Sequence, residues 1–258
     1  MSIHPLAVID AGAVIPASCT IGPFCTVGAE VELGEHCELV SHVSLTGPTR
    51  LGSQNKLFPF ASVGQPPQDL SYKGEATRLE IGDRNHFREF VTIHRGTVKG
   101  GGLTRIGSDN LFMACAHVAH DCVVGNNVIM ANAATLAGHV VVEDFSVVGA
   151  FCAVHQFTTI GKYAYIGAGT MITQDVMPFS KTSAERNNRA FGANTLGLER
   201  RGFTKERLRK IQHAFRLLLA SKLNTSQAIE RLRGEGALGE DVEMLVAFIE
   251  KSTRGVVK

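Results

Sequence analysis

The 258-residue chain contains no tryptophan, only three tyrosines and no Cys-x-x-Cys pair. Without that spacing the six cysteines give no reason to expect a zinc site. No segment approaches the roughly 18 consecutive apolar residues that span a bilayer, so no transmembrane segment is expected. The opening MSIHPLAVIDAG lacks a basic start followed by an apolar run, so a non-exported, cytoplasmic protein is the expectation. Charge of one sign is also missing overall: 26 Lys and Arg stand against 24 Asp and Glu. The length suits one or two domains, and 44% hydrophobic residues suffice for a sizeable core.

A six-residue repeat fills most of the chain. Every sixth residue from Ile3 to Val63 is aliphatic, and every sixth from Ile106 to Ile172 is apolar, with Ile81, Phe87 and Ile93 between the two runs. Many of these positions precede glycine, among them Gly22, Gly34, Gly125 and Gly161, which points to short strands joined by turns with angles that other residues resist. Three hexads make an 18-residue coil. Parallel coils stack at about 4.8 Å, so nine or ten of them form a prism roughly 45 Å long. This is a parallel β-helix, mainly β, over residues 1–180. The pattern itself leaves its hand open.

Two segments interrupt the repeat: QPPQDLSYKGEAT, residues 65–77, and a one-residue phase slip across HRGTVKGGGLTR, residues 94–105. Long loops on a strict solenoid are usually functional. Residues 181–258 read as an irregular linker to Arg201 and then a small α-helical domain. Thr204 and Ser226 are the expected caps of its first two helices, and EDVEMLVAFIEKS makes a third.

Cys19, Cys25, Cys37, Cys122 and Cys152 each fall four places after a repeat position, where other hexads carry small residues, and read as compact core packers. Stacking of Cys19 under Cys37 also permits an incidental bridge. From Lys181 to Arg233 there are thirteen Lys or Arg against four Asp or Glu. That asymmetry is either a solvated helical face or a docking surface for an acidic partner. No aromatic interleaving accompanies it, which argues against nucleic acid.

Residues 18 apart share a column, so His120, Gly138 and Gln156 form one ladder and Asp121, His139 and Phe157 the next. His117, His120, His139 and His155 then gather within two coil heights. Such a cluster suits general-base chemistry, with Asp121 orienting His120 and the unobstructed Gly138 N–H facing a developing oxyanion. The rival is a three-histidine zinc site. The spacing here, H-x2-H, departs from the H-x4-H of carbonic anhydrases on related prisms, so no metal is expected.

The [LIV]-G-x4 units resemble the hexapeptide-repeat acyltransferases, which implies a left-handed coil. IHRGTVKGGGLTRIGSDNLFM, AHVAHDCVVGN, TLAGHV, AVHQF and RRGF together resemble the UDP-N-acetylglucosamine acyltransferase family of lipid A biosynthesis. That resemblance implies a homotrimer with clefts between prisms. It also implies transfer of a 3-hydroxyacyl group from acyl carrier protein to the sugar 3-hydroxyl, without metal or free cofactor. Carried over by position, His120 is the base, Asp121 its partner and Gly138 the oxyanion donor. Asp69, His117, His139, Gln156 and His155 surround the sugar and diphosphate. Asn194, Arg200 and Arg201 hold the nucleotide, and Ala168 tunes the depth of the acyl pocket toward a shorter chain.

Ser71 replaces a lysine common in the family, and Leu196 stands where some members carry glutamate; Lys73 is a candidate to compensate. Those departures leave open a 3-amino UDP-sugar acceptor. A different hexapeptide acyltransferase, including the sister N-acyltransferase or an acetyl-CoA-dependent enzyme, and a non-catalytic solenoid scaffold remain as alternatives. The hexads starting at Ile3 argue against the sister enzyme, which normally carries an extra N-terminal domain.

Overall fold

A computed structural model describes residues 2–183 and 189–258. Glu185 and Arg186, counted above in the charged stretch, lie outside them. The repeat folds as a left-handed parallel β-helix with three faces. Face one runs in eleven strands from Ser2–Ile3 to Arg189–Ala193, face two in nine from Val8–Ile9 to Met171–Ile172, and face three in seven from Val31–Leu33 to Thr159–Ile160. Register follows the 18-residue step, as in His117 beside Thr135 and Leu136 beside Val154. Across the two loops the step lengthens, pairing Ser62 with Thr92 and Thr92 with His117.

The repeat residues point inward: Leu39, Leu45, Leu57, Phe87, Ile93, Phe112 and Met130 are fully buried. Phe87 and Phe112 stack inside the prism at 5.0 Å. Beside them Asn85 donates to Asn55 Oδ1 at 3.0 Å, and Asn85 Oδ1 accepts from Asn110 N at 2.9 Å, so the buried amides satisfy one another between coils. Cys19, Cys37, Cys122 and Cys152 are buried and donate to carbonyls of Gly34, Gly52, Ala137 and Gly167 at 3.0–3.2 Å. Cys19 and Cys37 are free thiols.

The glycine expectation needs correction. Among the repeat glycines named above none has positive φ; instead the left-handed corner residues are Phe24, His42, Asp121, His139, Phe145, Tyr163 and others with side chains. The glycines serve close approach. A Cβ on Gly22 would lie 1.7 Å from Val40 O, and one on Gly34 2.5 Å from the backbone of Gly52. The strain of about 1–2 kcal/mol at each left-handed residue is offset by stacking along the column, as in Phe145, Tyr163 and Phe179.

The described residues of the stretch expected to be irregular, from Lys181 to Arg201, form regular elements; residues 184–188 lie outside them. Ser180–Ser183 and Arg189–Ala193 pair antiparallel on face one, and helix α1 follows at Thr195–Arg200. Pairing to the last prism strand supplies the hydrogen bonds that sequence periodicity does not reveal. Helix α2, Lys205–Phe215, is capped by Thr204 and continues through a π-helical turn, Arg216–Ala220. Helix α3, Thr225–Gly234, begins earlier than expected. Asn224, not Ser226, is its cap, because Asn224 and Gln227 satisfy each other's backbone N–H reciprocally. Helix α4 spans Glu240–Lys251. The helices share a core with Met177, Phe179 and Phe203. The tail returns to the prism, where Val257 N donates to Asp175 O at 2.9 Å. Among the described residues no helix is long and apolar enough to cross a membrane.

Candidate active site

Both loops leave the prism at the same corner. Residues 66–77 separate Ser62–Gln65 on face two from Arg78–Ile81 on face three, and 95–102 separate Thr92–His94 from Leu103–Ile106 on the same faces. The following coils turn that corner at His120–Asp121, Gly138–His139 and Gln156–Phe157. The 18-residue column therefore places the imidazoles directly beyond the two irregular segments.

His120 Nδ1 and Asp121 Oδ2 are 2.7 Å apart. The carboxylate can only accept, so Nδ1 carries the proton and Nε2 keeps a free lone pair. The Asp121 side chain is 1% exposed and that of His120 16%. Gly138 lies beneath the ring: a Cβ there would sit 2.6 Å from His120 Cε1. Nothing larger than hydrogen fits between the imidazole and this peptide, and no acceptor among the described residues takes the Gly138 N–H.

His139 stacks on Phe157 at 4.3 Å and meets His120 edge-on at 5.3 Å. Its Nε2 is 3.7 Å from Asp121 Oδ2. Burial lowers its pKa, against the opposing pull of Asp121. His117 Nδ1 pairs with Thr92 Oγ1 at 2.7 Å, and the buried His94 packs edge-on against its ring at 5.0 Å. Burial, with the nearby histidines, lowers His117 and pushes His94 down to about 4. All three shifts favour neutral rings near pH 7.

Asp69 Oδ1 accepts from Ser71 N at 2.7 Å, which holds its carboxyl below the usual range, with smaller pulls from His120 and Lys99. Lys73 Nζ donates to Leu70 O at 3.1 Å, within its own loop. Arg95 is buried and bridges the loops, donating to Gly47 O, to Gly64 O at 2.8 Å and to Tyr72 Oη at 3.2 Å.

His155 and Gln156 are exposed at the same corner. His155 Nδ1 lies 3.2 Å from Arg254 Nη2, a tail residue that sequence reasoning missed because nothing in the repeat marks a contact 99 positions away. Thr97 and Thr104, which contact Asp121, were missed for a similar reason: they sit where the register breaks.

The remaining candidates occupy other corners. Asn194 caps α1 through Gly197 N and donates to Tyr163 O at 3.3 Å. Arg201, just past the end of α1, lies over Phe145 at 4.8 Å, where partial desolvation lowers its pKa, and Arg200, the last residue of α1, is exposed. These residues flank the corner between faces three and one. Ala168 is exposed at the corner between faces one and two. One chain therefore does not bring them to the imidazoles.

His120, Asp121 and His139 each offer a ligand atom, all within 4.8 Å. The carboxylate, however, already accepts from His120 Nδ1, Thr97 N and Thr97 Oγ1. Donors aimed at both its oxygens fit proton transfer better than cation binding.

The family described as Udp N-acetylglucosamine O-acyltransferase, domain 2, matches residues 175–257. Among solved structures, LpxA from Acinetobacter baumannii is 42% identical, covering 99% of each chain with a TM-score of 0.94. UDP-N-acetylglucosamine O-acyltransferase from Moraxella catarrhalis is 40% identical over the whole of both chains, TM-score 0.94. The Francisella novicida UDP-N-acetylglucosamine acyltransferase is 38% identical over 99% of this chain and 93% of that one, TM-score 0.95.

Proposed function

The chain belongs to the UDP-N-acetylglucosamine acyltransferase family, and we propose that it moves a (R)-3-hydroxyacyl group from acyl carrier protein to the 3-hydroxyl of UDP-N-acetylglucosamine, the first step of lipid A biosynthesis. One observation carries the mechanism. His120 donates Nδ1–H to a buried carboxylate while its ring rests on the Gly138 peptide.

His120 Nε2 takes the proton of the sugar hydroxyl as the oxygen attacks the thioester carbonyl. Asp121 stabilises the imidazolium that forms, and the Gly138 N–H donates to the oxyanion. Collapse breaks the C–S bond, and the imidazolium returns its proton to the leaving thiolate. His117 and His139, both favouring neutrality, orient sugar hydroxyls, while Asp69, Gln156 and His155 contact the sugar and diphosphate. Asn194, Arg200 and Arg201 hold the nucleotide, and Ala168 bounds the acyl chain.

Because these last groups sit on different corners of one prism, the working site lies between copies in a homotrimer. The reaction needs no metal or free cofactor. The basic face that includes Lys205, Arg209 and Arg216 steers the acidic carrier protein in the cytoplasm. Ser71 supports a second acceptor, a 3-amino UDP-sugar, because the side chain that follows Leu70 in this loop has no ammonium to offer.

The test is an activity matrix of 3-hydroxyacyl carrier proteins of several chain lengths against both sugars. An O-acyl product with UDP-N-acetylglucosamine is expected. Product with only the amino sugar would move the assignment to an amide-forming enzyme, and no product with either would refute it.

A further inference from the structure

The 95–102 loop holds the Asp121 carboxylate more tightly than a connecting segment requires. Thr97 N donates to Oδ1 at 2.7 Å, and Thr97 Oγ1 donates at 2.6 Å to Oδ2, the oxygen that also receives His120 Nδ1. Asp121 N donates to Thr104 Oγ1 at 2.7 Å, anchoring the backbone as well. The fit admits no extra atom: a Cβ on Gly100 would lie 2.0 Å from Asp121 Cγ, and one on Gly96 2.8 Å from Oδ1. Thr97 itself is 4% exposed.

Oδ2 has two imidazoles within reach, His120 at 2.7 Å and His139 Nε2 at 3.7 Å. A carboxylate turns about its own bond easily, so its preference between them depends on what else it accepts. We propose that Thr97 is a positioning residue that locks Asp121 onto His120, selecting the Nδ1–H tautomer and leaving Nε2 as the proton acceptor. This rests on His120 acting as the base. With the hydroxyl gone, the carboxylate is shared with His139 and His120 populates the tautomer whose Nε2 is already protonated. Such a ring has no lone pair to offer the sugar hydroxyl. The glycines of the loop are part of the device, because only a side-chain-free backbone lets Thr97 reach the carboxylate.

Thr97→Val and Thr97→Ser in the full chain test the proposal. Thr97→Val should lower kcat about tenfold while KM for UDP-N-acetylglucosamine stays within about twofold, and Thr97→Ser should restore most of the rate. In the substrate-free protein, the low-field N–H proton resonance of the His120–Asp121 hydrogen bond should move or vanish in Thr97→Val and return in Thr97→Ser. His120→Ala identifies that resonance. A residue serving only loop structure would shift melting temperature and KM and leave the resonance in place. An unchanged resonance, wild-type kcat in Thr97→Val, or failure of Thr97→Ser to restore either would overturn the proposal. If Thr97→Val does not fold, Thr97→Ala, which removes the hydroxyl without adding bulk, carries the same comparison. Wild-type protein inactive on every donor and acceptor would refute the proposed transfer instead, and the resonance would still decide what Thr97 does to Asp121.

Discussion

Two corners of the prism share a backbone and differ in chemistry. Between faces three and one, Phe145, Tyr163 and Phe179 occupy the left-handed position in successive coils and stack at 4.9 and 5.6 Å, with Arg201 laid over the first two. Between faces two and three, Asp121, His139 and Phe157 occupy the same position with φ of 61°, 63° and 62°. The first column needs only stacking to hold its strained residues. The second contains a buried carboxylate and needs a loop to satisfy it. The solenoid thus supplies a site of fixed geometry at every corner, and the two insertions decide which one acquires chemistry.

Four experiments break or sharpen that contrast. His120→Ala should abolish base catalysis, lowering turnover at least about 10²-fold with melting unchanged. Equal loss from Phe145→Ala in a folded chain would deny the second corner its special role. Next is the pH dependence of stability around His94. Its ordinary value of 6.5 falls to about 4 in the folded chain because the ring is buried beside His117 and His120. The unfolded chain therefore takes up a proton that the folded one refuses. Stability is at its full value above pH 6.5 and declines by up to about 3 kcal/mol toward pH 4. Denaturant titrations of wild type and His94→Gln should differ in this slope; His117, lowered in the same direction, accounts for part of what remains. Parallel slopes would count against a buried neutral His94.

Two glycine substitutions separate function from folding. Gly22→Ala drives a Cβ into the Val40 carbonyl and should cost about 2 kcal/mol or more of stability. Gly138→Ala displaces the His120 ring and should lower kcat about tenfold with a smaller stability change. Kinetics and calorimetry on both variants would expose a reversed order. The smallest effect is expected at Arg95, whose hydrogen bonds tie Tyr72 and its loop to the prism. Arg95→Met should raise KM for the sugar nucleotide roughly fivefold by loosening the loop that carries Asp69, with kcat less affected. Unchanged KM would separate Arg95 from the site.

Much of this was legible in order along the chain. The hexad spacing names the core residues from Ile21 to Ile172, and the 18-residue step sets His120 beside Gly138. Cysteine phase likewise indicated packing. The misreadings have physical causes. Glycine after a repeat position suggests φ freedom, whereas coil-to-coil contact is what demands it at Gly22 and Gly34. Ser226 is a serine directly ahead of a helical run and so reads as a cap, but the reciprocal pair of Asn224 and Gln227 satisfies two N–H groups at once. The pairing of Ser180–Ser183 with Arg189–Ala193 has no periodic signature to read.

The sequence by itself determined the prism and its register, because an apolar residue every six positions can be buried only if three short strands close one coil and the next stacks on it. It also determined the imidazole column, which follows from counting. Only the tertiary structure decided how Thr97 reaches Asp121, how Arg95 ties the two loops together and how Arg254 meets His155. Their partners lie across register breaks or at the far end of the chain, where no period relates one residue to another and only the path of the backbone brings the groups together.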